Sequence, residues 1–244
     1  MPASPALSDS DSAALRGVLS AHQAAQPLRA ILQIGSTFLP FLALLAAMYL
    51  TAHISFWLTL ALAVPAAAFV VRIFILQHDC GHGALFRSKR VNDWIGRLCS
   101  LATLTPYQHW RRQHAGHHAN WNNLDRRESG TDIYSTCLTT TEYRRLSRRQ
   151  RAVYRIVRHP LIAHLLLPPL IFVLLYRLPF DTPGGWRRER RSVHTTNLSL
   201  VALFVIIGLC VGFGTMARVQ LPIITLAAIA GVWLFAVQHR FEAA

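Results

Sequence analysis

Between Ile31 and Leu76 the chain carries a single formal charge, Arg72. Only His53 interrupts two apolar runs, residues 31–52 and 54–76. The first, 22 residues long, makes a helix of about 33 Å, enough to cross the roughly 30 Å hydrocarbon core of a bilayer. Inside that core every backbone N–H and C=O must find its partner within the segment, so runs of this length are committed to helix. Arg72 falls near the end of the second run, where its stem can snorkel towards the interface. The turn at His53 has no Lys or Arg beside it and is expected outside, so the two spans form a hairpin that returns the chain to the cytoplasm at His78.

The net charge of +14 raises the question of nucleic acid, and the placement of the charges answers it. Of 25 Lys and Arg, 20 lie between Gln77 and Thr195, flanked on both sides by apolar sequence. That is the bias of a cytoplasmic face rather than of a nucleic-acid-binding surface. The four cysteines, Cys80, Cys99, Cys137 and Cys210, form no CxxC pair and give neither a disulfide scaffold nor a zinc ribbon. Residues 1–28 lack the basic start and cleavage pattern of a signal peptide and are read as a flexible cytoplasmic tail, followed by one membrane domain over residues 29–244.

Three further apolar stretches follow, at residues 161–176, 196–214 and 219–238. If all three crossed, the "GGWRRERR" run at Gly184–Arg191 would lie outside, against the positive-inside rule. The first stretch is only 16 residues, with Pro168 and Pro169 in its middle. Proline in a helix interior removes a hydrogen bond and kinks the chain. Residues 161–176 are therefore expected to be re-entrant or interfacial. The fold expected is an all-α integral membrane protein with four spans (31–52, 54–76, 196–214 and 219–238) under a cytoplasmic histidine-rich cap.

Five histidines cluster just past the second span. In "HDCGH", His78 and His82 are four residues apart, and in "HAGHH", His114 precedes His117 and His118 by three and four. On a helix such spacings place imidazoles on one face. Neutral imidazoles suit iron or zinc. A structural zinc site takes four ligands and favours cysteine, so five histidines indicate two metals or an unusually rich site. Asp79 and Asp125 are better placed to orient ligating imidazoles than to bind metal. His22, His53, His159 and His164 read as solvated side chains. His109 and His194 stand nearer the candidates.

"HDCGHGALF" and "WRRQHAGHHANWNNLDRR" resemble the first and second histidine boxes of the membrane fatty acid desaturases, particularly the acyl-lipid enzymes related to the Δ12 type. The likeness continues through "RHPLIAHLLLPPLIFVLLY" and "RRERRSVHTTNLSL" to "VWLFAVQHRFE", over roughly residues 35–242. The resemblance implies a helical bundle under a cytoplasmic cap and two non-haem iron ions held almost wholly by histidines. It further implies dioxygen as co-substrate, an acyl lipid drawn from a bacterial inner membrane, and an electron donor such as ferredoxin. Carried over to this sequence, the ligands are His78, His82, His114, His117, His118 and His239. The family has a third box, HxxHH, downstream of "VQHRFE" and uses eight or nine ligands. Here Ala244 follows five residues after His239, the pattern of a chain truncated before that box. Such a chain is expected to hold its metals weakly and not to desaturate alone, as an inactive remnant or partner subunit would.

Two other catalytic readings share these residues. Lipid or carotenoid hydroxylases and ketolases belong to the same histidine-box group. A membrane zinc hydrolase would use the H-x-x-x-H spacing, but its general base is a Glu after the first histidine, where this chain has Asp79. The charge parity yields a direct test of topology. Reporters at the N-terminus, near Arg188 and at the C-terminus should read cytoplasmic, and reporters at Ser55 and Thr215 external. An external reading near Arg188 would mean that residues 161–176 cross the membrane.

Overall fold

The computed structural model describes residues 25–120, 137–180 and 182–238. Asp125, His239 and residues 1–24 of the tail lie outside them. Among the described residues every regular element is helical: α1 (Pro27–Thr51), α2 (Phe56–His82), α3 (Lys89–Thr103), α4 (Tyr107–Asn120), α5 (Thr140–Arg145), α6 (Arg148–Val157), α7 (Leu167–Val173), α8 (Arg187–Val211) and α9 (Phe213–Gln238). Four of these, α1, α2, α8 and α9, are long and apolar enough to cross a membrane.

The helices outrun the apolar stretches that announce them. α2 continues six residues past Leu76 to His82, and α8 begins at Arg187, nine residues before Thr196. Hydrophobicity marks only the part of a helix that lipid surrounds. The backbone ladder goes on until something stops it. For α2 the stop is Gly83, held in the left-handed region at φ 72° with its N–H turned back onto the last turn, a conformation that costs glycine nothing. The "HDCGH" motif therefore sits on a rigid helical end that stands above the span.

α2 is the central helix, packed by α1, α3 and α9. Its buried face carries small residues, Ala63, Ala66 and Ala67, which let backbones approach where lipid gives no hydrophobic drive to helix pairing. Met48 of α1 and Val219, Ile223 and Ala227 of α9 fill this core. Polar ties add to it: Gln220 donates to the Tyr49 hydroxyl at 2.9 Å, and Arg72 to the Ser36 hydroxyl at 3.0 Å. Arg72 thus keeps its head exposed while tying α2 to α1.

The 161–176 stretch is a broken element. One turn of π-helix, Ile162–Leu166, runs into α7 and then a 3-10 turn, Leu175–Arg177. α6 and the segment Ile162–Arg177 meet at a bend of 55°, the geometry of a broken span or of a re-entrant loop. Pro168 has no N–H for the His164 carbonyl one turn earlier, which accounts for the widened turn.

The cap helix α3 is amphipathic. Asn92, Gly96, Cys99 and Ser100 are buried, while Trp94 is exposed with the Arg97 guanidinium 5.3 Å above its ring. Buried Asn92 accepts from the Phe86 N–H at 3.0 Å and donates to the Phe86 carbonyl at 2.6 Å, pinning the loop after α2. Asp93 joins three elements, pairing with Arg111 of α4 at 3.0 Å and Arg188 of α8 at 2.9 Å. Tyr107, fully buried, lies against Gly96 so closely that an added Cβ would meet its ring at 2.3 Å. Gly96→Ala should destabilise the protein by about 1–3 kcal/mol through overpacking. Gly184→Ala, with nothing within 4 Å of the added Cβ, should change stability by less than about 0.5 kcal/mol. Thermal unfolding of both variants in one detergent measures the difference.

Candidate metal centre

The last turns of α2 and the second half of α4 face each other, and four imidazoles meet between them. One ring nitrogen from each of His78, His82, His114 and His118 falls within 4.8 Å of all the others. His114 Nε2 is 3.1 Å from His82 Nε2 and 3.0 Å from His118 Nε2. A proton can bridge only two such nitrogens at once, leaving the third with a lone pair aimed at lone pairs. A cation accepts from all of them, and bonds of about 2.0–2.1 Å to one ion require donors this close. The donor set therefore fits one borderline transition-metal ion.

Two features keep these imidazoles in the ligating form. His78 Nδ1–H donates to the Asp79 carboxylate at 3.3 Å, which leaves the His78 Nε2 lone pair free for a metal. Burial, reinforced by His78 and His118, pushes the His114 pKa down to about 3. That imidazole is neutral at any physiological pH.

α4 is held in place by aromatic packing. Trp110 stacks on His114, ring centres 4.7 Å apart and 15° from parallel, and meets Phe74 of α2 edge-on at 5.3 Å. Gly81, inside "HDCGH", makes room for it, since a Cβ there would sit 2.9 Å from the Trp110 ring. One turn earlier the Tyr107 hydroxyl donates to the Cys80 carbonyl at 2.9 Å, midway between His78 and His82. The sequence reading missed both supports. The i, i+4 spacing of Trp110 and His114 was the available signal. Gly96, distant in sequence, offered none.

His117 stands apart from the four. Its ring lies parallel to that of His114 at 6.0 Å and packs 5.3 Å from Phe235 of α9. It is buried and faces a cavity of about 160 Å³ that the sequence did not reveal. From His114 and His117 the cavity descends between α2, α7 and α9, along Phe74, Val70 and Phe172 to Ile224. Phe235 and Ile224 both line it, 11 residues apart on one helix, which is about 16 Å of length. His109 is also buried but bonds Gln113 at 3.2 Å rather than joining the four. His194 is exposed and outside the cluster. Asp125 and His239 lie outside the described residues.

Residues 55–244 match the family Fatty acid desaturase. The chain belongs to the fatty acid desaturase family. It is 43% identical over 212 residues to a fatty acid desaturase of Bacillus subtilis, an alignment covering 87% of this chain and 59% of that protein. Over 57 residues it is 49% identical to an sn-1 acyl-lipid omega-3 desaturase (ferredoxin) of Synechocystis, covering 23% of this chain and 16% of that one. A Delta(12) fatty acid desaturase of Calendula officinalis is 35% identical over 79 residues, 30% of this chain and 21% of the relative. The chain thus spans less than two thirds of the length of these relatives.

The four converging imidazoles yield two predictions. His82→Ala or His118→Ala should remove nearly all bound metal, measured by elemental analysis of the purified chain. Asp79→Ala, which removes the acceptor bonded to His78, should weaken metal affinity by about 10–100-fold. The second concerns pH in the metal-free protein. Unfolding restores the His114 pKa to its ordinary value near 6.5, so below that pH the unfolded chain binds a proton the folded one refuses. Stability from this group is complete above pH 6.5 and declines as pH falls towards 3. The melting temperature should fall between pH 7 and pH 5, and less so in His114→Gln.

Proposed function

We propose that this chain forms the membrane and metal-binding part of an oxygen-dependent di-iron desaturase that places a double bond in an acyl lipid. The observation that carries the reading is the direct connection between the imidazole cluster and an apolar cavity reaching into the membrane-spanning helices. An unactivated methylene offers no proton or charge for side chains to work on, so a bound metal centre would supply the oxidising power. The chain's own residues do the rest. Val70, Phe74, Phe172 and Val232 line a channel that excludes water and holds an extended apolar tail. Trp110 and His117 form the wall where that tail passes the cluster. Tyr107 and Asp79 fix the donors, so that the distance from methylene to metal is set by helix packing rather than by side-chain motion.

The four imidazoles account for one ion. His117, His239 and donors of an HxxHH segment would complete the second. The basic face that includes Arg112 and Arg187, both exposed, would draw an acidic carrier such as ferredoxin. This face is cytoplasmic in our reading, with the protein in a bacterial inner membrane.

The test is gas chromatography of acyl chains from cells producing the chain with ferredoxin, its reductase and a C-terminal segment bearing HxxHH. New unsaturated chains should form, should require that segment, and should vanish with His82→Ala. An unchanged acyl profile despite full metal loading would refute the reading.

A further inference from the structure

The arginines between α4 and α7 stand far from the imidazole cluster in sequence and have no part in the reading above. Residues 138–158 contain seven arginines and one carboxylate, Glu142. Glu142 caps its own helix, accepting from the Thr139 N–H at 2.7 Å and the Thr139 hydroxyl at 2.8 Å. On α6, Arg148, Arg151 and Arg155, with Arg158 at its C-terminal cap, follow one another at steps of three, four and three residues, so they share one face. The opposite side carries Arg149 beside two apolar residues that are open to the surroundings: Val153 is 53% exposed and Ile156 58%.

A shallow groove runs along this hairpin. Leu138, Leu146, Val153 and Val157 line it, with Arg149 and Arg158 at its edges. The Arg158 guanidinium is spread over the Tyr154 ring at 4.0 Å, which holds the charge at the rim. Past the 55° bend the chain continues into Ile162–Arg177, whose Leu161, Leu165 and Leu166 neighbourhood is openly apolar. α6 is therefore anchored at one end to a segment that belongs in lipid.

We propose that the α5–α6 hairpin is a seat for anionic phospholipid of the surrounding bilayer. One acyl strand lies along Leu146, Val153 and Val157, and head-group phosphates meet Arg149 and Arg158 separately, nine residues apart at the two ends of the groove. A helix with basic and apolar faces lies in the plane of the interface, its apolar side in the acyl boundary and its arginines at the head groups. An acidic soluble protein would satisfy the charges but would not explain the continuity with the apolar segment. The bilayer satisfies both.

The experiment uses the full chain in nanodiscs of phosphatidylcholine, alone or mixed with phosphatidylglycerol. Spin-labelled lipids report the preference for phosphatidylglycerol over phosphatidylcholine. A bimane label at Val153→Cys, with Cys137 and Cys210 changed to Ser, reports insertion through quenching by lipid-borne nitroxides. The wild type should prefer phosphatidylglycerol. Each of Arg149→Gln and Arg158→Gln should reduce that preference by up to about fivefold, the equivalent of ~1 kcal/mol per basic residue at an anionic surface. The lysine variants should retain it. In mixed nanodiscs the label should be quenched from the lipid side. Three results would overturn the proposal: equal association of the two lipids, glutamine variants that keep the wild-type preference, or a label reached only by water-soluble quencher. A label shielded only when ferredoxin is added would assign the hairpin to a protein partner instead.

Discussion

The rest of the site depends on how closely α4 can approach α2. Two glycines set that distance. Gly81 admits the edge of Trp110, and Gly96 on α3 admits the ring of Tyr107, whose hydroxyl then reaches the Cys80 carbonyl. Without that approach the His114 ring could not come within 3.1 Å of His82. Buried aromatic packing is short-ranged, and a gap of even 1 Å loses a large share of its attraction. The geometry of the imidazole cluster is thus the outcome of a packing constraint one helical turn away.

This arrangement also accounts for the polar interior of the cap. A helix lying across the top of a bundle has to satisfy its own ends and hold its angle without lipid pressing on it. Asn92 fixes the loop below, Asp93 ties α3 to Arg111 and Arg188, and the Ser192 hydroxyl accepts from the Gln108 N–H at 3.2 Å at the start of α4. Gln77, buried just before the first histidine, donates to the Thr105 carbonyl and accepts from the Thr103 hydroxyl at 2.7 Å. Each bond is worth only about 1 kcal/mol net, but each buried group would cost more if left unpaired. The network gives α4 one orientation in preference to its neighbours.

Below the cap the protein has a different physics. The span helices touch through alanines and bury little of their surface, leaving leucines such as Leu39, Leu50 and Leu209 to lipid. The cavity beside His117 is walled by Phe172 and Tyr176 from the segment past the 55° bend, and by Ile224, Ala228 and Phe235 of α9. The proline-broken backbone of that segment buries only Ala163, Pro168 and Ile171 against its neighbours, while Leu161, Leu166 and Leu174 stay exposed. The short, proline-bearing stretch that made a poor span by sequence thus forms one wall of the chamber beneath the cluster.

The sequence alone determined the helical class, the four long apolar helices and the two clusters from which His78, His82, His114 and His118 come. Apolar run length and i, i+4 spacing are local properties, and a bilayer or one helix face converts them directly into structure. It also placed Asp79 beside His78, because a neighbour at i+1 needs no long-range contact. Only the tertiary structure separated His117 from the four and turned it to the cavity, although its spacing from His114 matched theirs. Only the tertiary structure found work for Gly81, Gly96 and Tyr107, and gathered Phe74, Phe172 and Ile224 around one chamber. These outcomes depend on the distance between helices brought together from distant parts of the chain. That distance is decided by the volumes packed between them, which no periodicity along a single segment records.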